Sequence, residues 1–379
     1  MSRPVDAYVV GAGVAGAFAA LELRRMGIAV TLIDAWEPGH SRATSSDHHR
    51  ILRSSHGTDE FYTQWSRDAR LGWLELEKEV GYQLFVQAGV VVLAATGDTA
   101  WSDASAIVLA KLGIPHFIAP ASELPARLPV VNTAGFDYGL WELESGFVYA
   151  RKGVLAAISV FKELGGKVAR GRVTTDAVER PMLNDEPLKA DVIVVAAGPW
   201  MGELFPITLR PLLTLIRQDI IYVAPPAGDT RYDWENMPAW IDHAYPAYGI
   251  PAADGHGFKA AIAWHQADID LEGDDRVVDA TAMARSRRYL ATRFPGLERQ
   301  AIVDQKVCQL TNTADLNWVI DHHPKHSNVV FFGGGSGHLY KHAPVAGRFV
   351  AGLATGKWET PDRFKARPRS VPSRADNPQ

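Results

Sequence analysis

The chain has 379 residues, of which 47% are hydrophobic and 22% charged, with a formal net charge of −4. It is long enough for two domains around a large core, and its near-balanced charge excludes the basic surface that a nucleic-acid polyanion or an acidic membrane requires. The single cysteine, Cys308, excludes an intrachain disulfide, and no uncharged apolar run reaches the ~18 residues of a membrane span, so a cytoplasmic protein without a signal peptide is expected.

The first predicted strand contains Tyr8-Val9-Val10 and runs into Gly11-Ala12-Gly13-Val14-Ala15-Gly16. An apolar helix over 17–26 and a second strand over 29–33 follow, closed by Asp34. Gly11 permits the tight turn, Gly13 lets the backbone approach a pyrophosphate, and Gly16 lets the helix sit close on the strand. The helix N-terminus then offers free N–H groups to phosphates. Asp34, about 20 residues on, falls where a carboxylate accepts ribose hydroxyls. The polar stretch 37–49 reads as a loop over a ligand.

Residues 58–80 predict an amphipathic helix, with Phe61, Trp65, Ala69, Leu71, Trp73, Leu74 and Leu76 at helical spacing. Residues 89–95 predict a strand and 106–112 a helix. Residues 146–150, 153–164 and 167–170 read as another β–α–β segment. The unbroken apolar run at 191–197 predicts a central parallel strand covered on both faces. Its end at Gly198-Pro199-Trp200 lets backbone approach a ligand at the carboxyl edge of the sheet. The alternating stretch 209–270, rich in Tyr, Trp and Pro, predicts antiparallel sheet from a second domain. A helix is expected over 280–293. A last buried strand near 328–332 runs into Gly333-Gly334-Gly335-Ser336-Gly337-His338-Leu339-Tyr340-Lys341, followed by a helix over 344–353.

Nucleotide-type pieces therefore stand at the start, middle and end of the chain, with antiparallel segments between them. The expected class is α/β (α+β): a discontinuous Rossmann-like domain from 1–85, 145–208 and 300–365, a substrate domain from 86–144 and 209–299, and a flexible tail at 366–379. This interleaving favours an extended FAD over a nicotinamide, with the pyrophosphate at Gly11–Gly16 and the isoalloxazine near the late glycine junction. The 13 histidines include pairs at 48–49 and 322–323 but show no zinc-like spacing, so no metal is expected.

With these residues assembled, the chain resembles the FAD-dependent amine oxidase family that includes monomeric sarcosine oxidase and N-methyltryptophan oxidase, relatives of D-amino-acid oxidase. The likeness spans residues 5–358. Beyond the glycine fingerprint it rests on Ser46-Asp47-His48-His49-Arg50-Ile51-Leu52-Arg53, on 191–200, on Cys308-Gln309-Leu310-Thr311-Asn312-Thr313-Ala314-Asp315 with Val319-Ile320-Asp321, and on 326–341. The resemblance implies that Arg53 and Lys341 grip a substrate carboxylate, a fork and a point charge respectively. It implies that Lys259 sits beside the flavin and promotes reaction with O2, that Tyr248 lines the substrate pocket, and that Cys308 forms a covalent thioether to the flavin. The remaining cofactor contacts it implies are Val14, Ala15, Ala35, Ser45, His49, Arg50, Val173, Ala197, Gly198, Trp200, Gly334, Gly335, Gly337, His338 and Leu339. One departure is Ala263, where sarcosine oxidase carries a histidine, with His265 the nearest substitute. His48 and His49 replace a more acidic pattern.

The implied chemistry is oxidation of the C–N bond of an amino acid, or of an N-methyl, cyclic or N-glycated amino acid, to an imine, with O2 reduced to hydrogen peroxide. An FAD-dependent dehydrogenase using another acceptor, and a flavin-binding subunit without turnover of its own, are the alternatives. A small-molecule substrate, O2 and a monomer or weak oligomer complete the expectation.

Overall fold

The structure, a computed structural model, describes residues 6–262, 265–266 and 269–371. Its first sheet has six strands in the order Lys167–Arg170, Ala29–Asp34, Asp6–Val10, Val192–Val195, Val329–Gly333 and Val319–His322. All neighbours are parallel except the last pair. Successive residues of a strand point to opposite faces. Val9, Val194, Val330 and Phe332 accordingly pack into one core, and Val10, Ile193, Val195 and Phe331 into another. The unbroken apolar runs at 192–195 and 329–333 arise because both faces are covered. Gly347 of the helix Leu339–Ala354 lies so close to the helix Val14–Arg25 that a Cβ there would meet Phe18 Cβ at 2.7 Å.

A second sheet has nine strands. The long strand Thr214–Val223 pairs with Ile302–Asn312 on one side and with Phe258–Ile262 and His265–Gln266 on the other. The sheet continues through Ala247–Ile250, Ala239–Asp242, Val90–Ala95, Phe136–Glu142 and His116–Pro120. It is antiparallel as expected over 209–262, apart from one parallel pairing, Ala239–Asp242 with Val90–Ala95.

Several elements differ from expectation. Gly146–Tyr149 does not join the parallel sheet; it forms a small antiparallel sheet with His49–Leu52 and Phe85–Val86. Ile302–Asn312, grouped above with the nucleotide-binding segments, pairs along its length with Thr214–Val223 of the second sheet. Helix Glu60–Val80 is capped by the Asp59 carboxylate and stopped by left-handed Gly81, yet Leu71 within it is 49% exposed. The helix expected at 106–112 begins at Ala100. The last helix begins at Leu339, five residues before the start that Pro344 suggested, and carries that proline inside it. Of the expected flexible tail, the described part is tied down: Ala366 N–H donates to Asp321 at 2.9 Å, and Arg369 donates to Asp315 at 3.0 Å and to the Trp318 carbonyl at 2.9 Å. Among the described residues no helix is long and apolar enough to cross a membrane.

Candidate active site

A cavity of about 1570 Å³ runs along the carboxyl edge of the parallel sheet and is roofed by the second sheet. Strand ends supply Val10, Asp34, Ala196 and Gly333; the opposite face supplies Ile216, Ile241, Tyr248 and Cys308. That position, outside the carboxyl ends of parallel strands, is where open α/β sheets bind ligands.

At one end Gly11 adopts φ +100°, and a Cβ there would lie 2.4 Å from the Ala196 carbonyl oxygen. A Cβ on Gly16 would come within 1.8 Å of the Gly11 carbonyl oxygen. Gly16 does not line the cavity, so its part is the helix-to-strand contact alone. Helix Val14–Arg25 starts at Gly13 with no side-chain cap and no acid in its first turn, which leaves a positive helix end facing the cavity. The Val14 N–H reaches Ser45 Oγ at 3.3 Å. Asp34 accepts from the Ala12 N–H at 2.5 Å and the Trp36 N–H at 2.8 Å, which aims its carboxylate into the cavity. Ala15, Ala35, Val173, Ala197, Gly198 and Trp200 line the same end. Trp36, unforeseen from sequence, also lines it, with Arg42 at 5.5 Å and Arg172 at 5.2 Å from its ring.

At the other end the chain leaves Val329–Gly333 through left-handed Gly334 (φ +61°), Ser336 (φ +45°) and Gly337 (φ +72°) before the last helix begins. The buried Ser336 hydroxyl donates to the Gly334 carbonyl at 3.1 Å and accepts the Thr313 N–H at 3.3 Å, which holds this turn. Gly334, Gly335, Gly337, His338, Leu339 and Lys341 all face the cavity. Cys308 Sγ lies 3.0 Å from the Arg50 guanidinium. Arg50 also donates to the Thr44 carbonyl at 2.6 Å and pairs with Asp47. Burial works against its charge, but Cys308 and Asp47 raise its pKa well above the usual value.

Arg53 and Lys341 both line this end and have no carboxylate salt-bridge partner among the described residues. Arg53 donates to the Ser55 carbonyl and stacks 5.1 Å over Trp101. Burial lowers it to about 10, only partly opposed by Glu142. Lys341 is pushed well below the usual lysine range by burial and then by Arg53. Two cations that repel each other at one cavity, Lys341 buried and Arg53 partly so, are arranged for an anion. Trp73 fixes the turn that carries Lys341, since its indole N–H donates to the Lys341 carbonyl at 2.8 Å. Glu142, fully buried, holds the Arg53 loop by accepting from the Ser54 N–H at 2.5 Å, the Ser55 N–H at 3.2 Å and the Ser145 hydroxyl at 2.6 Å. A lone acid inside a strand gives no sequence signal for that role.

Besides Gly16, two expected contacts do not reach the cavity. His49 is fully buried against Phe147 and Tyr149, with ring centroids 5.1 and 5.3 Å away, and both its nitrogens lack a hydrogen-bond partner. Burial, then the nearby Lys259, holds it down to about 3. Lys259 stands behind the wall. Its ammonium donates to Asp47 at 2.6 Å and to the His49 carbonyl at 2.8 Å, and lies 5.6 Å from the ring of Tyr248, which does line the cavity. Burial lowers the Lys259 pKa, opposed by Asp47. The Asp47 carboxylate, buried but held ionised by Lys259 and Arg50, also accepts from the Tyr222 hydroxyl at 2.5 Å. Asp47 was within the quoted segment, but only the fold brings Lys259 and Tyr222 to it. His48 turns away to Asp304 at 2.7 Å and stacks on His256. Ala263 lies outside the described residues, as does the side chain of His265.

The fold brings together three histidines that the sequence did not group. His56, His338 and His342 each offer a ring nitrogen within 4.8 Å of the others.

The cavity fits a dinucleotide with a flavin ring: it is long, it has an uncapped helix end and a ribose-type carboxylate at one extremity, and glycines without Cβ atoms at both. The model of the family described as "DAO: FAD dependent oxidoreductase" matches residues 6–353. Peroxisomal sarcosine oxidase of Mus musculus is 29% identical over 371 residues, covering 92% of each chain. Monomeric sarcosine oxidase of Bacillus sp. (strain NS-129) is 28% identical, covering 95% of each. In fold, the chain superposes on fructosamine oxidase from Aspergillus fumigatus with a TM-score of 0.80 at 17% identity, covering 100% of this chain and 92% of that one. The chain belongs to the DAO family of FAD-dependent oxidoreductases and is a sarcosine-oxidase-like member of it.

Proposed function

We propose that the chain oxidises the C–N bond of an amino acid, or of an N-methyl, cyclic or N-glycated amino acid, to an imine, with O2 as electron acceptor and hydrogen peroxide as product. The observation that carries this reading is the pair of cations, Arg53 and Lys341, facing one cavity with no salt-bridging carboxylate among the described residues.

Bound FAD supplies a two-electron acceptor for the hydride of the C–H bond next to nitrogen. The protein supplies orientation and electrostatics. The Arg53 fork and the Lys341 ammonium hold the substrate carboxylate, and Tyr248 and Trp101 wall the pocket on its substrate side. The amine reacts as the free base, because its lone pair forms the imine as the hydride leaves and the N–H proton is lost. Activity therefore rises with pH through the amine's own ionisation. Cys308, which lines the cavity beside Arg50, would carry a thioether bond to the flavin. Helix Leu339–Ala354 presents its N-terminus to the cavity, where its positive end would favour negative charge on a bound group.

A dehydrogenase using another acceptor is the second reading, and one observation favours it. The Lys259 charge that would stabilise developing negative charge on O2 is engaged by Asp47 behind the wall. The deciding experiment is a screen of secondary and cyclic amino acids under air with peroxide detection. Substrate-dependent flavin bleaching with stoichiometric peroxide supports the oxidase; bleaching that persists in air with no peroxide supports the dehydrogenase. A yellow holoenzyme that no amino acid bleaches defeats both.

A further inference from the structure

We propose that His56, His338 and His342 form a binding site for a zinc-class divalent cation at the Lys341 end of the cavity. The three come from the loop after His49–Leu52, the turn before the last helix, and the first turn of that helix.

Each ring is tied at one nitrogen and open at the other. His56 Nδ1 lies 2.9 Å from the Ser54 carbonyl and His338 Nε2 lies 3.0 Å from the Leu316 carbonyl. A carbonyl only accepts, so those nitrogens carry the protons and His56 Nε2 and His338 Nδ1 are left as lone-pair acceptors. His342 Nε2 is 3.5 Å from the Ser66 hydroxyl, and the ring also bonds the Trp65 backbone, leaving Nδ1. These three nitrogens, His56 Nε2, His338 Nδ1 and His342 Nδ1, are buried and have no hydrogen-bond partner. His342 is 0% and His56 8% exposed.

Three unpartnered acceptors on rings that each bring a nitrogen within 4.8 Å of the others cannot satisfy one another, and a single water offers only two protons. A cation that accepts lone pairs satisfies all three. A ring N–H bonded to a backbone carbonyl is also the usual outer-shell device that orients a metal-bound imidazole and raises its basicity. Neutral imidazoles select zinc, nickel or copper over magnesium or calcium, and three of them leave a fourth position. His56 and His338 line the cavity, so the fourth ligand comes from there: water, or a carboxylate oxygen of a bound molecule. Arg53 and Lys341 oppose a further positive charge, which weakens the affinity and favours an anionic fourth ligand. The rings of Tyr62 and Trp318, 4.7 and 5.3 Å from His338, pack around the site and restrict rearrangement of its ligands.

The test uses tag-free holoenzyme stripped with EDTA, dialysed against micromolar zinc chloride and analysed for metal by mass spectrometry. The expected result is about one zinc per chain, a melting temperature raised by zinc, and an X-ray absorption spectrum fitted by imidazole nitrogens at about 2.0–2.1 Å. His342→Phe, which keeps an aromatic ring beside Tyr62 and Trp318, loses the zinc and the thermal shift while retaining flavin. His56→Gln replaces it if that variant does not fold. A wild-type chain that takes up no stoichiometric zinc, or a variant that holds as much as the wild type, overturns the proposal.

Discussion

Replacing either Arg53 or Lys341 by methionine separates a carboxylate clamp from a merely structural role. A charge-assisted hydrogen bond contributes about 1.5–3 kcal/mol, so Arg53→Met and Lys341→Met should each lower kcat/KM for an amino-acid substrate by roughly 10- to 150-fold. Arg53 stands toward the upper figure, because the Ser55 carbonyl engages only one side of its fork and the remaining N–H groups are free to bind two carboxylate oxygens. Lys341 offers a point charge whose burial and proximity to Arg53 already weaken it in the empty site, so its removal costs less. The assay compares the acid with its carboxamide. The carboxamide group carries no charge, and each variant should lose only a few-fold on it, in Arg53→Met mostly through the lost stacking on Trp101. Equal losses on acid and carboxamide, with flavin content intact, would refute the clamp.

Three further expectations follow from the same geometry. Cys308→Ser should release all of its flavin on acid precipitation while the wild type retains it in the protein pellet; a wild type that releases its flavin ends the covalent assignment. Asp47→Asn strips the counter-charge from buried Lys259 and Arg50 and should cost about 3–5 kcal/mol in denaturant unfolding, part of it recovered by adding Lys259→Met; a loss of about 0–1 kcal/mol, as for an exposed pair, contradicts the buried network. His49 is held down to about 3 in the fold, whereas an unfolded histidine binds its proton near pH 6.5. Its contribution is therefore complete above pH 6.5 and is lost as pH falls toward about 3, at up to ~1.4 kcal/mol per pH unit. His49→Phe should flatten the acid limb of the stability curve by about one proton, and parallel limbs would show that His49 is not the group responsible.

The sequence alone determined what local sterics and periodicity encode. The glycine fingerprint, the buried runs at 192–195 and 329–333, and the helix Ala280–Arg293 were legible because a turn that admits no Cβ, a strand covered on both faces and an amphipathic helix each impose their own residue pattern. Arg53, Lys341, Tyr248 and Cys308 were legible through their motifs, and the fold gathers all four at one cavity. Other features depended on which distant segments meet. Gly146–Tyr149 has a strand's pattern in whichever sheet it joins, and only long-range pairing put it beside His49–Leu52. Pro344 marks a helix start by rule, yet the helix runs through it because packing around the late turn fixes an earlier beginning. The ammonium of Lys259 was expected at the flavin, but a buried charge goes where a counter-charge is, and Asp47 lies behind the wall. Of the three histidines near Lys341, His338 and His342 stand four apart at the start of one helix, but His56 is remote in the chain. Their convergence is a property of the tertiary structure, set by the loop that Glu142 holds and the helix that Trp73 pins.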